Sequence, residues 1–464
     1  MELFTDSAGD EGLPGRERRL AMLAVMTCTT MVVLDGSMVN IALPQIAEQL
    51  HVAAGHAVWV ANGYLLSAAM TLAIFSALAV RTGFRALFSA GLTLFTLASL
   101  GCALSTSLEM LVTMRLLQGI GGAATLSIAP AILRSIFPNR LLGRILGVNA
   151  LLIALNTAIA PVLGGSLLSA VGWPWLFAIN IPLGILALGL ALRTLPSARA
   201  VASGPFDLQG AVWSALMLGA LVMASDAFSH TDNLQTAGLW ALLSLVAGWL
   251  FVRRQRCATQ PLLPLTLFAS ARFSLAALTS LVSFVSQGMT FVALPFLFQS
   301  VYGYSAFTSA LLFTAWPVGI ILAAPHAGRL ADNYAPALIS TVGLCVFALG
   351  LLLLAQLPDH AQWWDISLRG LLCGIGFGCF QSPNNREMLA NASREHSSYA
   401  SGVLAVMRTF GQCLGAAFVG VIFSLYTQSG YIDGQQQAVR MALWLATAAT
   451  VLSLVFSVSR LKSR

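Results

Sequence analysis

Long apolar stretches separated by short polar segments run through the whole chain. They fall at residues 20–43, 57–80, 86–105, 108–133, 145–169, 174–192, 208–227, 237–252, 273–299, 307–327, 336–357, 364–385, 400–424 and 441–459. Each is close to the ~20 residues that carry a helix across a hydrocarbon layer, so the pattern predicts fourteen transmembrane helices. Alternation with period two is absent, and Pro and Gly sit inside the runs. An all-α integral membrane protein is therefore expected rather than a membrane barrel.

The basic residues test that count, because positive charge collects in short loops on one side of a membrane. With both termini on the cytoplasmic side, all of the 24 Lys and Arg fall on that side except Arg440 outside and Arg115, Arg369 and Arg408 within spans. The polar start, residues 1–19, is read as a retained cytoplasmic tail because the first apolar run ends without a small-residue cleavage site. Trp59, Trp173, Trp175, Trp240, Trp363 and Trp364 lie near predicted outer ends, where indoles anchor at headgroup level.

Composition agrees: 58% of residues are hydrophobic, 9% are charged and the mean hydropathy is +0.82, which excludes an ordinary soluble domain. The formal charge of +7 is accounted for by the loop asymmetry, so no nucleic-acid partner is expected. Seven cysteines, six of them in apolar segments, suggest neither a disulfide framework nor a metal site. Six histidines are scattered without ligand spacing, and metal binding is not expected. Gly119-Ile-Gly121-Gly122 and Gly374-Ile-Gly376-Phe-Gly378 lie inside spans with no strand ahead of them. They read as close helix contacts, not nucleotide loops. With no Walker sequence and no cofactor expected, neither an enzyme nor an ATP-driven pump is indicated, and energy must come from an ion gradient.

The halves of the chain resemble each other. Ser76–Arg85 and Gly328–Ala337 correspond at an offset of 252, and Arg115 corresponds to Arg369. The division expected is a tail at 1–19, a six-helix bundle at 20–193, a linker with two additional helices at 194–272, a second six-helix bundle at 273–459 and a tail at 460–464. Two such bundles place a substrate cavity at their interface near the membrane midplane.

Several motifs carry a family resemblance. Leu34-Asp35-Gly36-Ser37-Met38-Val39-Asn40-Ile41-Ala42-Leu43-Pro44 resembles the first-span signature of the fourteen-span drug:proton antiporters of the major facilitator superfamily. Arg115-Leu-Leu-Gln118-Gly119-Ile-Gly121-Gly122-Ala123 is similar to its fourth-span motif, and Trp173-Pro-Trp175-Leu-Phe177-Ala-Ile-Asn180-Ile-Pro182-Leu-Gly184 to its sixth. The loop after span two departs from the family pattern, with Ser76 and Val80 in place of Gly and Asp, while Arg81, Gly83 and Arg85 remain. Gly328 and Asp332 keep the pattern in the second half. The fifth-span antiporter motif survives as Pro161, Gly164 and Gly165, and Pro161 still removes a backbone donor. The resemblance implies a multidrug efflux transporter of a bacterial inner membrane, working as a monomer amid membrane lipid on a small-molecule substrate and protons.

Among the acidic residues, Asp35 is the one placed deep in a span, where a carboxylate is costly unless protonated, paired or hydrated. Arg115 lies at matching depth. Burial favours the neutral acid and a nearby guanidinium favours the carboxylate, so a change in their separation would load and release a proton. The alternative is a fixed structural pair. Arg408, on the inner half of span thirteen, is divided between packing and cavity. Candidate cavity residues are Asn40, Asn62, Tyr64, Gln118, Gln287, Phe291, Gln381 and Asn384. One anionic group among aromatic faces suits lipophilic cations. Three arginines within spans equally admit an amphipathic anion, and an exporter dedicated to one metabolite is the alternative function.

Overall fold

A computed structural model describes residues 2–197, 204–229, 234–392, 397–428 and 433–462. Among them fourteen helical spans follow one another, at Gly15–Gln49, Trp59–Thr82, Phe84–Ala103, Leu108–Ile136, Asn139–Ala170, Asn180–Thr194, Leu208–Phe228, Leu234–Cys257, Ala271–Phe296, Ala315–Asn333, Pro336–Ala355, Trp363–Ala390, Ser397–Gln428 and Gly434–Lys462. Short helices at Ala54–Ala57, Pro174–Ala178 and Ala306–Phe313 lead into the second, sixth and tenth, and a π turn at Leu297–Val301 extends the ninth. Thirteen are long and apolar enough to cross a membrane on composition alone. Span twelve falls short because Asp365 and Arg369 stand in its first turns and Gln381, Asn384, Asn385, Arg386 and Glu387 crowd its last, yet it packs between spans ten and eleven.

Spans one to six pack on one another, as do nine to fourteen, while seven pairs with eight and itself leans on spans two and thirteen. Small residues set the spacing, as expected where lipid offers no hydrophobic drive for helix association. A Cβ at Gly121 would meet the Gly91 carbonyl and Phe95; one at Gly374 would sit 2.1 Å from the Trp316 carbonyl oxygen. Both glycine-rich runs are therefore helix contacts. Gly83 ends span two at φ 93°, a left-handed conformation that β-carbons resist, and so lets the chain turn at once into span three.

An even number of crossings puts both termini on one face. Between the halves lies a cavity of about 1650 Å³ whose wall includes Arg81, Arg134, Gln260 and Tyr399, all at span ends on that terminal face. On the opposite face the halves meet directly. The Gln299 side chain donates to the Ile41 carbonyl (2.9 Å). Gly55 lies against Gly420 and Ser424, and Gly165 lies against Ala306 and Ala310. The cavity is thus open toward the termini and closed on the other side.

Two chain ends differ from expectation. Arg18, placed in a tail by its charge, is buried, donating to the carbonyls of Leu3 and Leu13 (both 3.1 Å) and pairing with Asp6 (3.2 Å). The start of the chain therefore folds back, and the Leu13 N–H reaches the Ile136 carbonyl of span four (3.0 Å). At the other end the helix continues to Lys462, and Arg460 is buried. Trp173 is also buried, edge-on to Phe177 at 6.1 Å, rather than anchored at a surface.

Gly374→Leu is expected to destabilise by about 1–3 kcal/mol or more through overpacking against the Trp316 backbone. Gly36→Ala, whose added carbon meets nothing within 4 Å, should leave the melting temperature in detergent unchanged. Equal melting of the two variants would contradict the packing assignment.

Candidate functional site

The fourth-span motif explains the local construction. Gly119 and Gly122 present no side chain to span two, so that span comes close enough for the Gly119 Cα to face the Tyr64 carbonyl and Ser67, and Gly122 the Tyr64 hydroxyl. That approach lays the Tyr64 ring over Arg115, with the guanidinium carbon 4.4 Å from the ring centroid, and Phe177 flanks it at 5.5 Å. Arg115 Nε donates to the Val60 carbonyl (2.9 Å) and Nη1 to Asp35 Oδ2 (2.6 Å) and Gln118 Oε1 (2.8 Å).

The rest of Asp35 is held as tightly. Its Oδ1 accepts from Gln118 Nε2 (3.1 Å) and Asn180 Nδ2 (3.0 Å), and both of those amides also reach Ser99 Oγ (2.9 and 3.4 Å). Asp35 is 2% exposed and Arg115 0%. Three donors on one carboxylate, shared among spans one, four and six, meet the condition under which a buried ion pair persists. One donor remains: Arg115 Nη2 has no hydrogen-bond partner among the described residues. Arg115 and Tyr64 form part of the cavity wall, and Asp35 stands one layer behind them.

The expected cavity residues divide. Asn40, Tyr64, Gln287, Phe291 and Gln381 line the cavity, as do Arg81, Pro161 and Arg408. Asn62, Gln118 and Asn384 do not. Asn62 is buried where the halves meet and accepts from Cys413 Sγ of span thirteen (3.1 Å). Gln118 belongs to the Asp35 cage. Asn384 is turned into the second half, donating to the Ala276 carbonyl (3.3 Å) and accepting from Arg460 Nη1 (2.5 Å). Gln118 and Asn384 have hydrogen-bonding neighbours inside their own bundles and Asn62 has one across the seam, and these partners outcompete water in the cavity.

The conformational motifs are placed as follows. Arg81 donates to the Gly204 carbonyl (3.3 Å), the Pro205 carbonyl (3.5 Å) and Gln260 Oε1 (2.9 Å), with Phe206 5.5 Å away, so it grips the linker at both ends of spans seven and eight. Arg85 donates to the Leu192 carbonyl (2.5 Å). Gly164 packs on Met38, and Gly328 faces Ser382. The side chain of Asp332 lies outside the described residues.

Two clusters escaped the sequence reading. Glu387 and Arg460 form a second buried pair (3.0 Å), with Arg460 also held by Ser457 (2.8 Å). Asp35 is therefore not the only acid buried within a span; Glu387 was overlooked because the apolar run ends at 385 and the helix continues to Ala390. Arg369, by contrast, is paired with Asp365 four residues before it (2.9 Å). The second cluster is aromatic: Phe284, Phe291, Phe313, Trp316 and Phe377 gather on the cavity side of the second half, with Phe291 edge-on to Trp316 at 5.1 Å. A tryptophan in mid-span, away from any interface, was the available signal.

Asp207 caps span seven through the Gly210 N–H (3.1 Å) and holds Arg254 (2.9 Å) and Gln255 (2.8 Å) of span eight. Burial pushes its carboxyl up, but the bonds from Arg254, Gly210 and Gln255 outweigh that and hold it below the ordinary 3.8.

Two helical bundles enclosing a cavity open to one face, with a charged pair buried beside it, define a membrane transporter. Residues 25–416 match the Major Facilitator Superfamily, and the chain belongs to that family. It is 41% identical over 421 residues to the Escherichia coli (strain K12) protein described as uncharacterized transporter YebQ, covering 90% of this chain and 92% of that one. It is 30% identical over 417 residues to the Multidrug resistance protein Stp of Mycobacterium tuberculosis, covering 89% and 77%. A solved structure of a bacterial homolog of the human lysosomal transporter Spinster superposes with a TM-score of 0.69 at 16% identity, covering 97% of this chain and 98% of that one. That likeness concerns the fold.

Arg115→Met leaves Asp35 buried without its cation and is expected to cost about 3–5 kcal/mol, read as a lowered melting temperature. Asp207→Asn is expected to lower melting by the order of 1–2 °C near neutral pH. Because the folded value is depressed, the contribution is full above 3.8 and fades as pH falls through the lowered value. The gap between variant and wild type should therefore close in acid; a constant gap would contradict the ionised latch.

Proposed function

We propose that the protein exports small amphipathic molecules across a bacterial inner membrane in exchange for protons, with both termini cytoplasmic. The family membership and the likeness to a multidrug resistance protein support efflux. The observation that carries proton coupling is the Asp35 cage directly behind Tyr64 and Arg115. Its three hydrogen bonds all come from donors, the complement of a carboxylate, so the arrangement with the cavity open toward the termini suits the unprotonated carrier ready to receive substrate.

Tyr64 is the cover between Asp35 and the cavity. Rocking of the halves that draws Tyr64 and Arg115 aside would bring water to Asp35 from the other face, where a proton enters and substrate leaves. On the return, Arg115 pairs again with Asp35 and displaces the proton into the cavity before Tyr64 closes over the carboxylate. Residues of spans one, four and six thus act as one device: Asp35 carries the proton, Arg115 displaces it, and Gln118 and Asn180 hold the carboxylate in place. A monomer contains every part of this.

The wall bears on substrate charge. Its carboxylate among the described lining residues is Asp207, already engaged by Arg254 and Gln255. The preference for lipophilic cations that the sequence suggested finds no free anionic partner there, and the amphipathic anion is the reading the wall favours.

Proteoliposomes with an imposed pH gradient and a lumenal pH dye test the coupling, with ethidium and pyrenebutyrate as probes. Wild type should concentrate at least one probe with matching proton movement, whereas Asp35→Asn should lose concentrative uptake by about tenfold or more while keeping counterflow exchange. An Asp35→Asn protein that still concentrates a probe with proton movement would sink the assignment.

A further inference from the structure

Arg408 is a cation of the cavity wall, well inside a span, that no described protein group engages. It lies on span thirteen, exposed to the cavity, and makes no hydrogen bond or ion pair among the described residues. The other arginines within spans are committed, Arg115 to Asp35 and Arg369 to Asp365. A guanidinium at membrane depth is costly without water or a counter-charge, and such residues mark the path of a ligand.

A second, independent observation lies deeper in the same cavity. Trp316 is 1% exposed and its indole N–H, a donor that buried tryptophans usually satisfy, has no partner. Between the two sits a pair of amides. Gln412 Nε2 donates to Gln287 Oε1 (2.9 Å), which leaves the Gln287 amide nitrogen as a further donor on the wall.

Helix geometry orders these groups. Gln412 follows Arg408 by four residues on one face of span thirteen, and Phe291 follows Gln287 by four on span nine, each step being about 6 Å along the axis. A ladder results, running from the guanidinium past the amide pair to the Phe291–Trp316 corner, roughly 12 Å in all. Arg408 and the Gln287 amide nitrogen supply donors, and aromatic rings flank the ladder: Phe284 meets Phe377 edge-on at 5.3 Å, and at the far end Phe291 meets Phe313 at 4.9 Å.

We propose that Arg408 is the anion-binding residue of this cavity and that the transported class is a planar aromatic organic anion, a carboxylate or sulfonate joined to a ring system by a spacer. The acid group pairs with Arg408 through two parallel hydrogen bonds. The rings lie against the aromatic cluster formed by Phe284, Phe291 and Trp316. This deepens the transport reading of the same cavity and rests on it.

Binding at equilibrium, without any gradient, tests the subsite separately from coupling. The probes are pyrenebutyrate, pyrenebutyramide and a pyrenebutyl trimethylammonium salt, titrated into purified full-length protein in nanodiscs and followed by pyrene fluorescence. Wild type should bind the carboxylate about tenfold or more tightly than the amide or the ammonium. Arg408→Gln should abolish that preference while leaving the amide within about twofold, Arg408→Lys should keep part of it, and Phe291→Ala should weaken all three alike. Arg408 projects into the cavity, so its two variants remove no core contact, and their unchanged melting temperatures confirm that they are folded. Wild type that binds the carboxylate no better than the amide, or an Arg408→Gln protein that keeps the preference, overturns the proposal. Loss of proton-driven transport with this binding pattern intact would remove the exporter reading alone. The converse would remove the anion subsite alone.

Discussion

A carboxylate and a guanidinium 2.6 Å apart in the middle of a helical bundle constrain the first half of the molecule. Desolvating two charges costs several kcal/mol each, and only good geometry with additional hydrogen bonds offsets it. Spans one, two, four and six must therefore arrive in register: Asp35 from one, the Val60 carbonyl from two, Arg115 and Gln118 from four, Asn180 from six. Small residues let them do so, since Gly119 and Gly122 admit the backbone and ring of Tyr64 at distances a larger residue would forbid. The packing and the chemistry of this half are consequently one problem with one solution.

The second half is organised around apolar faces and a different ion pair. Glu387 and Arg460 tie spans twelve and fourteen together near the terminal face, and Asn384 extends the link to Ala276 of span nine. The aromatic cluster then occupies the level above. Asp35 and Arg115 are buried beside the cavity in the first half, whereas Glu387, Asn384 and Arg460 of the second lie away from its wall.

The fourteen spans and the side on which the basic residues fall were legible because lipid imposes a length and a composition on each segment. The Asp35–Arg115 partnership was legible too, because charges in apolar runs have few places to go. Rotation about each helix axis was not. Asn62, Gln118 and Asn384 read as cavity residues on polarity alone, but which way a polar side chain faces depends on partners contributed by other spans. Span ends were equally hidden: Arg18, Glu387 and Arg460 looked like loop charges because apolar runs stop before helices do. The role of the linker rested on Arg81, whose partners at Gly204, Pro205 and Gln260 are more than a hundred residues away in sequence. Where the family pattern would supply an acid at Val80, this chain instead engages carbonyls of its inserted segment.

The closure opposite the termini includes Gly55 against Gly420 and Ser424, Gly165 against Ala306 and Ala310, and a hydrogen bond from the Gln299 amide. None of these contacts joins opposite charges. Parting them strands no ion, but Ile41 and Val58 of the first half share one buried apolar cluster with Leu294 and Phe423 of the second, so the wetting of that greasy surface sets the barrier to unsealing, and a cargo molecule lodged in the vestibule must supply adhesion enough to offset it.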